Sequence, residues 1–75
     1  MRRVGEVDRI AQGVAIVRCS EATHPDIGAM VVDERLDTVG RVVDVFGPVD
    51  RPYLAVTPSG AATLPSLLGK KLYTR

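Results

Sequence analysis

The side chains in this 75-residue chain that could do chemistry by kind and by separation are the single thiol Cys19, the single imidazole His24 and, among nine carboxylates, the closely spaced Glu6 and Asp8. One thiol and one imidazole leave a zinc ligand set incomplete. His24 stands in a polar His-Pro-Asp loop, EATHPD, where solvation is its ordinary state. Cys19 ends the run VAIVRC, and a cysteine there more often acts as a small buried hydrophobe than as a nucleophile. Glu6 and Asp8 have the spacing to share a strand face and so mimic a carboxylate pair, but acids on short strands usually form a solvated face. No Gly-rich phosphate loop and no nucleophile elbow occurs. The expectation is a non-enzyme with no metal and no cofactor.

The informative residues are apolar. The stretch DVFGPVDRPYLAV, residues 44–56, sets Phe46 and Tyr53, two of the three aromatics, at the edges of a loop that contains Pro48, Val49 and Pro52. Each proline fixes φ near −65°, so less entropy is lost when such a loop docks on a partner.

The elements that must hold this loop are strands. Valine occupies twelve positions and leucine six, and β-branched residues suit a pleated surface. Strands are expected at Val4–Ile10, Val14–Cys19, Met30–Asp33, Val39–Phe46, Tyr53–Thr57 and Lys70–Thr74. Gln12-Gly13 reads as a turn. A single helical turn fits residues 65–68, with Gly69 as its stop. Six short strands punctuated by Gly and Pro imply an all-β fold, a small six-stranded antiparallel barrel forming one domain over residues 1–75. Closure would remove unpaired edges. No internal repeat is visible.

Composition excludes several classes. With 45% hydrophobic and 25% charged residues the chain is globular, and a net charge of +1 is weak for a dedicated nucleic-acid binder. One cysteine allows no internal disulfide, and acids stand where a signal peptide would be apolar. No apolar run approaches the roughly 20 residues that cross a bilayer. An intracellular protein without a membrane partner is expected.

Alternation assigns the hairpin faces. If Val43, Val45, Leu54 and Val56 form the core face, then Phe46 and Tyr53 point outward as cross-strand neighbours, rimmed by Pro48, Val49 and Pro52. Clustered exposed apolar residues mark interaction surfaces. The competing reading is a bulge near Gly47 that reverses the phase and buries Phe46 as a barrel plug. Pattern alone leaves both open.

Gly40-Arg41-Val42-Val43-Asp44-Val45-Phe46-Gly47-Pro48-Val49, followed by Pro52-Tyr53 and Val56, resembles the central signature of one family. That family is the small β-barrel subunit of H/ACA ribonucleoproteins, the RNA-guided pseudouridylation machines of rRNA processing and ribosome biogenesis. The Gly5 strand and the closing Gly69-Lys70-Lys71-Leu72-Tyr73 match its ends, and the absence of Gly/Arg-rich extensions matches its archaeal type. The resemblance implies a six-stranded barrel in the archaeal cytoplasm that docks on the catalytic domain of the pseudouridine synthase. It also implies only indirect association with guide RNA, and help with substrate loading and product release. Phe46, Gly47, Pro48, Val49, Pro52 and Tyr53 are then the expected partner-binding residues. Self-association of the free protein through the same patch stays open.

Two other readings stand beside it. A PRC-type barrel of a ribosome-maturation or regulatory protein shares Gly-x-Val-x-Asp-Val-like strands, although FGPV-x-x-PY is not its usual hairpin. A direct RNA-binding barrel needs a basic face. Arg2, Arg3, Lys70, Lys71 and Arg75 would supply one if the terminal strands pair, or else simply form a charged, soluble edge.

Overall fold

Valine-rich segments broken by Gly and Pro become strands, and here the strands close on themselves. The computed structural model describes residues 2–59 and 64–74. The elements are β1 (Arg2–Ala11), β2 (Val14–Cys19), β3 (Met30–Val32), β4 (Thr38–Phe46), β5 (Tyr53–Pro58), α1 (Leu64–Leu67) and β6 (Lys71–Thr74). They form a closed barrel in the order β1-β2-β5-β4-β3-β6, with every pairing antiparallel. The expected all-β barrel and its one helical turn are both present, with strand ends shifted by one or two residues. The part of the ambiguous 61–68 stretch before Leu64 lies outside the described residues, as does Arg75.

Strict alternation fails on the two long strands. In β1 the register skips Val4 against β6 and Asp8 against β2. In β4 it skips Val39 against β3 and Val43 against β5. Each skip is a bulge, which adds one residue and bends the strand. Residues three apart therefore point inward together: Val4, Val7 and Ile10 on β1, and Val39, Val42 and Val45 on β4. The other core side chains come from Ala15, Val17 and Cys19 of β2, Val31 of β3, Leu54 and Val56 of β5, and Leu72 of β6, with Leu67 of α1 packed among them.

This corrects the assigned faces. Val43, expected in the core, is 43% exposed, and Val42 is buried in its place. Val45, Leu54 and Val56 do face inward. On β1 the bulges leave Glu6 and Asp8 exposed, away from the inward valines.

The register also reveals a repeat, against the sequence reading of none. Gly5 lies opposite Cys19 as Gly40 lies opposite Pro58, and Val7 opposite Val17 as Val42 opposite Val56. Backbone hydrogen bonds outside the ladders follow the same rule. Gly69 and Lys70 bracket Val7 (2.9–3.0 Å) as Gly28 and Ala29 bracket Val42 (2.7–2.9 Å). Ser20 donates to Val4 at 3.2 Å as Ser59 donates to Val39 at 2.9 Å. An approximate two-fold axis thus exchanges β1 with β4, β2 with β5 and β6 with β3. It passes through the Ile16–Ala55 and Val32–Tyr73 pairs, which map onto themselves. In the sequence the relation shows only as the Val-Gly-x-Val shared by residues 4–7 and 39–42, too short a match to be read as a repeat without the register.

Gly5 and Gly40 occupy equivalent sites and have the same cause. A Cβ on Gly5 would overlap the carbonyl oxygen of Arg18, and one on Gly40 that of Thr57. Neither carbonyl can move without breaking its strand. Gly5→Ala and Gly40→Ala are each expected to lower stability by about 1–3 kcal/mol. Gly13→Ala meets no atom within 4 Å and suffers only its positive φ of 80°, so it should fall at or below the low end of that range. Thermal unfolding of the three variants checks the order.

Candidate docking hairpin and basic edge

Because Val43 is a bulge, the residues beyond it resume alternation with Val45 inward and Phe46 outward. Phe46 pairs with Tyr53 across the β4–β5 ladder. Their rings stack with centroids 5.7 Å apart and planes inclined by 21°. Phe46 stays 39% exposed and Tyr53 half-buried. The plug reading is excluded: the bulge sits at Val43, not Gly47, and it turns the Phe46 side chain out.

The loop between them is built around Gly47, whose φ is +88°. A Cβ there would come within 2.8 Å of Tyr53 Cδ2, so glycine is needed both for the backbone and for the ring beside it. Val49 is 92% exposed, and Pro48 is exposed beside it. Pro52 departs from expectation. It is buried rather than part of an exposed rim, and its carbonyl accepts a hydrogen bond from Cys19 N–H at 3.0 Å. Its role is to anchor the loop to β2. Of the six expected partner-binding residues, Phe46, Pro48, Val49 and Tyr53 form surface, Gly47 is exposed and sets the turn, and the buried Pro52 supports it from beneath.

The apolar surface is wider than the hairpin. Seven large hydrophobics are exposed among the described residues, and five of them, Ile27, Met30, Val43, Phe46 and Val49, belong to β4, its hairpin, β3 or the approach to β3. Met30 pairs with Arg41, and Gly28 N–H bonds Val42 O at 2.7 Å, which brings Ile27 alongside the Val43 bulge. Sequence reasoning missed Ile27, Met30 and Val43. The available signal was the three-residue spacing of Val39, Val42 and Val45, which leaves Val43 unaccounted for in any core.

The expected basic edge assembles in part. β1 pairs with β6, which brings Arg3 opposite Tyr73 and Lys71 opposite Glu6. Arg2 reaches Glu21 at 3.9 Å. Lys70 turns instead to Asp33, 3.8 Å away, at a hollow of about 430 Å³ that Glu34, Arg35 and Lys71 also line. Asp33 is buried, and its Oδ1 accepts the backbone N–H groups of Arg35 and Asp37 at 2.9 and 3.1 Å. It holds the β3–β4 turn in shape and takes no part in a reactive pair.

The reactive groups are scattered. Cys19 is buried, and desolvation pushes its thiol above the ordinary value, which disfavours the thiolate. His24 is half-buried rather than fully solvated, with Nδ1 2.9 Å from the carbonyl of Pro25. Among the described residues, no group of three His, Cys, Asp or Glu side chains is arranged to hold a metal.

A family model described as the Gar1/Naf1 RNA binding region matches residues 1–75. An uncharacterised protein of Methanothermobacter thermautotrophicus is 31% identical over 61 residues, which cover 81% of this chain and 65% of that protein's length. The family match agrees with the resemblance carried by the FGPV-x-x-PY hairpin and displaces the PRC-type reading.

The stack and the core make separable demands on stability. Phe46→Ala loses an exposed aromatic pair and is expected to reduce stability by about 0.5–1.5 kcal/mol. Leu54→Ala, at the fully buried partner of Val45, should cost about 2–5 kcal/mol. Chemical denaturation of both variants measures the difference.

Proposed function

The chain belongs to the Gar1/Naf1 RNA-binding-region family, a family of ribonucleoprotein-associated proteins, and we propose from this that it is the non-catalytic small subunit of an H/ACA RNA-guided pseudouridylation particle. Its partner is the catalytic domain of the pseudouridine synthase, and its docking element is the hairpin that carries Phe46, Pro48, Val49 and Tyr53. Guide RNA is reached chiefly through the complex, and the effect on the reaction is exerted on substrate loading and product release.

The observation that carries this reading is the outward Phe46–Tyr53 stack beside Val49. Two rings already in contact present a large apolar area with few rotamers left to freeze. Gly47 and Pro52 hold the loop in the shape that displays them. The exposed Ile27, Met30 and Val43 lengthen the patch along β4, and Asp50 and Arg51 offset each other in the loop. A surface of this kind suits a protein partner. The hairpin signature resembles that of the family, and the near-neutral net charge agrees with protein docking.

The test is direct binding of the purified chain to a pseudouridine synthase without RNA. Binding is expected, with an affinity that falls little as salt rises, because an apolar contact releases few ions. Phe46→Ala and Tyr53→Ala should each weaken it by about 2 kcal/mol or more, the loss typical of a central interface anchor, while the fold persists. Undiminished binding by both folded variants would place the docking surface elsewhere. Self-association of the free chain through this patch would appear in sedimentation as a dimer that the synthase dissolves. Uridine isomerisation by the chain alone would overturn the non-catalytic assignment.

A further inference from the structure

Register continues the aromatic pair sideways onto two further strands. Phe46 lies opposite Tyr53, Tyr53 opposite Arg18 on β2, and Arg18 opposite Glu6 on β1. The four side chains form one row across β4, β5, β2 and β1. They point outward, because the adjacent row of Val45, Leu54, Val17 and Val7 belongs to the core. The two-fold relation supplies an internal control for this row. Its equivalents are Ala11 for Phe46, Val14 for Tyr53, Thr57 for Arg18 and Arg41 for Glu6. That second row has no aromatic ring, and Thr57 stands where the first row has Arg18. Closure of the barrel thus demands neither the two rings nor a cation beside them.

Arg18 is exposed, and among the described residues its guanidinium has no ion pair and no hydrogen bond. Glu6 stands directly across the β1–β2 ladder, yet the two do not pair. Glu6 also lies opposite Lys71 on its other side, so the one acid is shared between two cations. A third, Arg9, pairs with Ile16 and is therefore a diagonal neighbour of Arg18, roughly 7–8 Å away on the same face. On the ring side the nearest strand acid is Asp44, opposite Ala55, and its Oδ1 already accepts the N–H of Val45 at 2.9 Å. Arg18 therefore holds an unneutralised charge one strand spacing, about 4.8 Å, from Tyr53.

We infer that Arg18 is the polar end of the docking surface and receives a carboxylate of the protein partner, so that the segment covering Phe46 and Tyr53 carries an Asp or Glu on its β2 side. The inference rests on the docking assignment and names the chemistry that the partner must present there. Charge complementarity selects a carboxylate. The planar fork of a guanidinium matches two carboxylate oxygens, and an ion pair shielded by apolar contacts beside it is worth more than one in open water. Rings and cation divide the work. The stack supplies contact area to any apolar segment, whereas Arg18 discriminates among such segments. One without the acid leaves the guanidinium partly desolvated and unpaired, and one laid the other way round brings its acid towards Asp44. Arg18 thereby fixes which segment docks and in which direction.

The probe is the catalytic subunit of a pseudouridine synthase, titrated without RNA against the full chain and its variants. Arg18→Ala should weaken binding about tenfold, and Arg18→Lys, which keeps the charge and loses the fork, should fall between that variant and wild type. Arg3→Ala removes an exposed cation outside the row and should leave binding unchanged. Glu6→Gln removes the acid that competes for Arg18 and should tighten binding about twofold, a gain that partial unfolding cannot imitate. Carbodiimide treatment of the complex formed by the Arg18→Lys variant should couple the introduced amine to an Asp or Glu of the synthase, which peptide mass spectrometry identifies. Thermal melting confirms that each variant is folded. If Phe46→Ala weakens binding and Arg18→Ala does not, the docking assignment stands and this inference falls. If Phe46→Ala, Tyr53→Ala and Arg18→Ala all bind as wild type does, both fall. A loss on Arg18→Ala that appears only when guide RNA is present would assign the guanidinium to a phosphate and overturn the inference as well.

Discussion

A six-stranded barrel this small must fill its interior from every strand while bending each one tightly around it. The bulges at Val4, Asp8, Val39 and Val43 meet that demand. A bulge supplies the bend and also resets which side chains face inward. The core depends on it, since Val4, Val7 and Ile10, like Val39, Val42 and Val45, can converge only if alternation is interrupted between them. The candidate site depends on it as well. With Val42 inward and no bulge at Val43, Phe46 would share the face of Val42 and enter the barrel. The extra residue turns it outward to meet Tyr53. Core packing and the display of the aromatic pair are therefore consequences of one backbone irregularity.

The same irregularity is applied twice, and the two halves of the barrel are built alike down to paired features such as Gly5 with Gly40 and Ser20 with Ser59. Positions that hold the barrel closed are kept equivalent: a glycine wherever a carbonyl presses in, and a buried apolar residue wherever the core needs one. The outer positions are free of that requirement and diverge.

The loops follow the same division between support and display. The Gln12-Gly13 hairpin is as short as a hairpin can be, with positive φ at both residues, and presents almost nothing. Its counterpart between Phe46 and Tyr53 is longer, holds two prolines, and is tied to β2 by the carbonyl of Pro52. The buried Pro52 and the exposed Val49 do different work within six residues. Asp33 plays the supporting part in the β3–β4 turn, where its carboxylate caps two backbone N–H groups.

Valine content, the Gly and Pro punctuation and the FGPV-x-x-PY signature determined by themselves that this is an all-β barrel with a proline-stiffened hairpin, and they set its strands to within a residue or two. These are local properties: χ1 stiffness, turn chemistry and the positive φ of glycine act over a few residues and need no knowledge of a neighbour. What only the tertiary structure decided is the facing of the side chains. Val43 went outward and Val42 inward, Pro52 was buried, Ile27 and Met30 joined the apolar surface, and Arg18 came to stand beside Tyr53. A bulge exists only relative to the partner strand across which the register slips, and a surface exists only once strands distant in sequence lie side by side. Both are properties of pairing, and no stretch of residues read alone contains its partner.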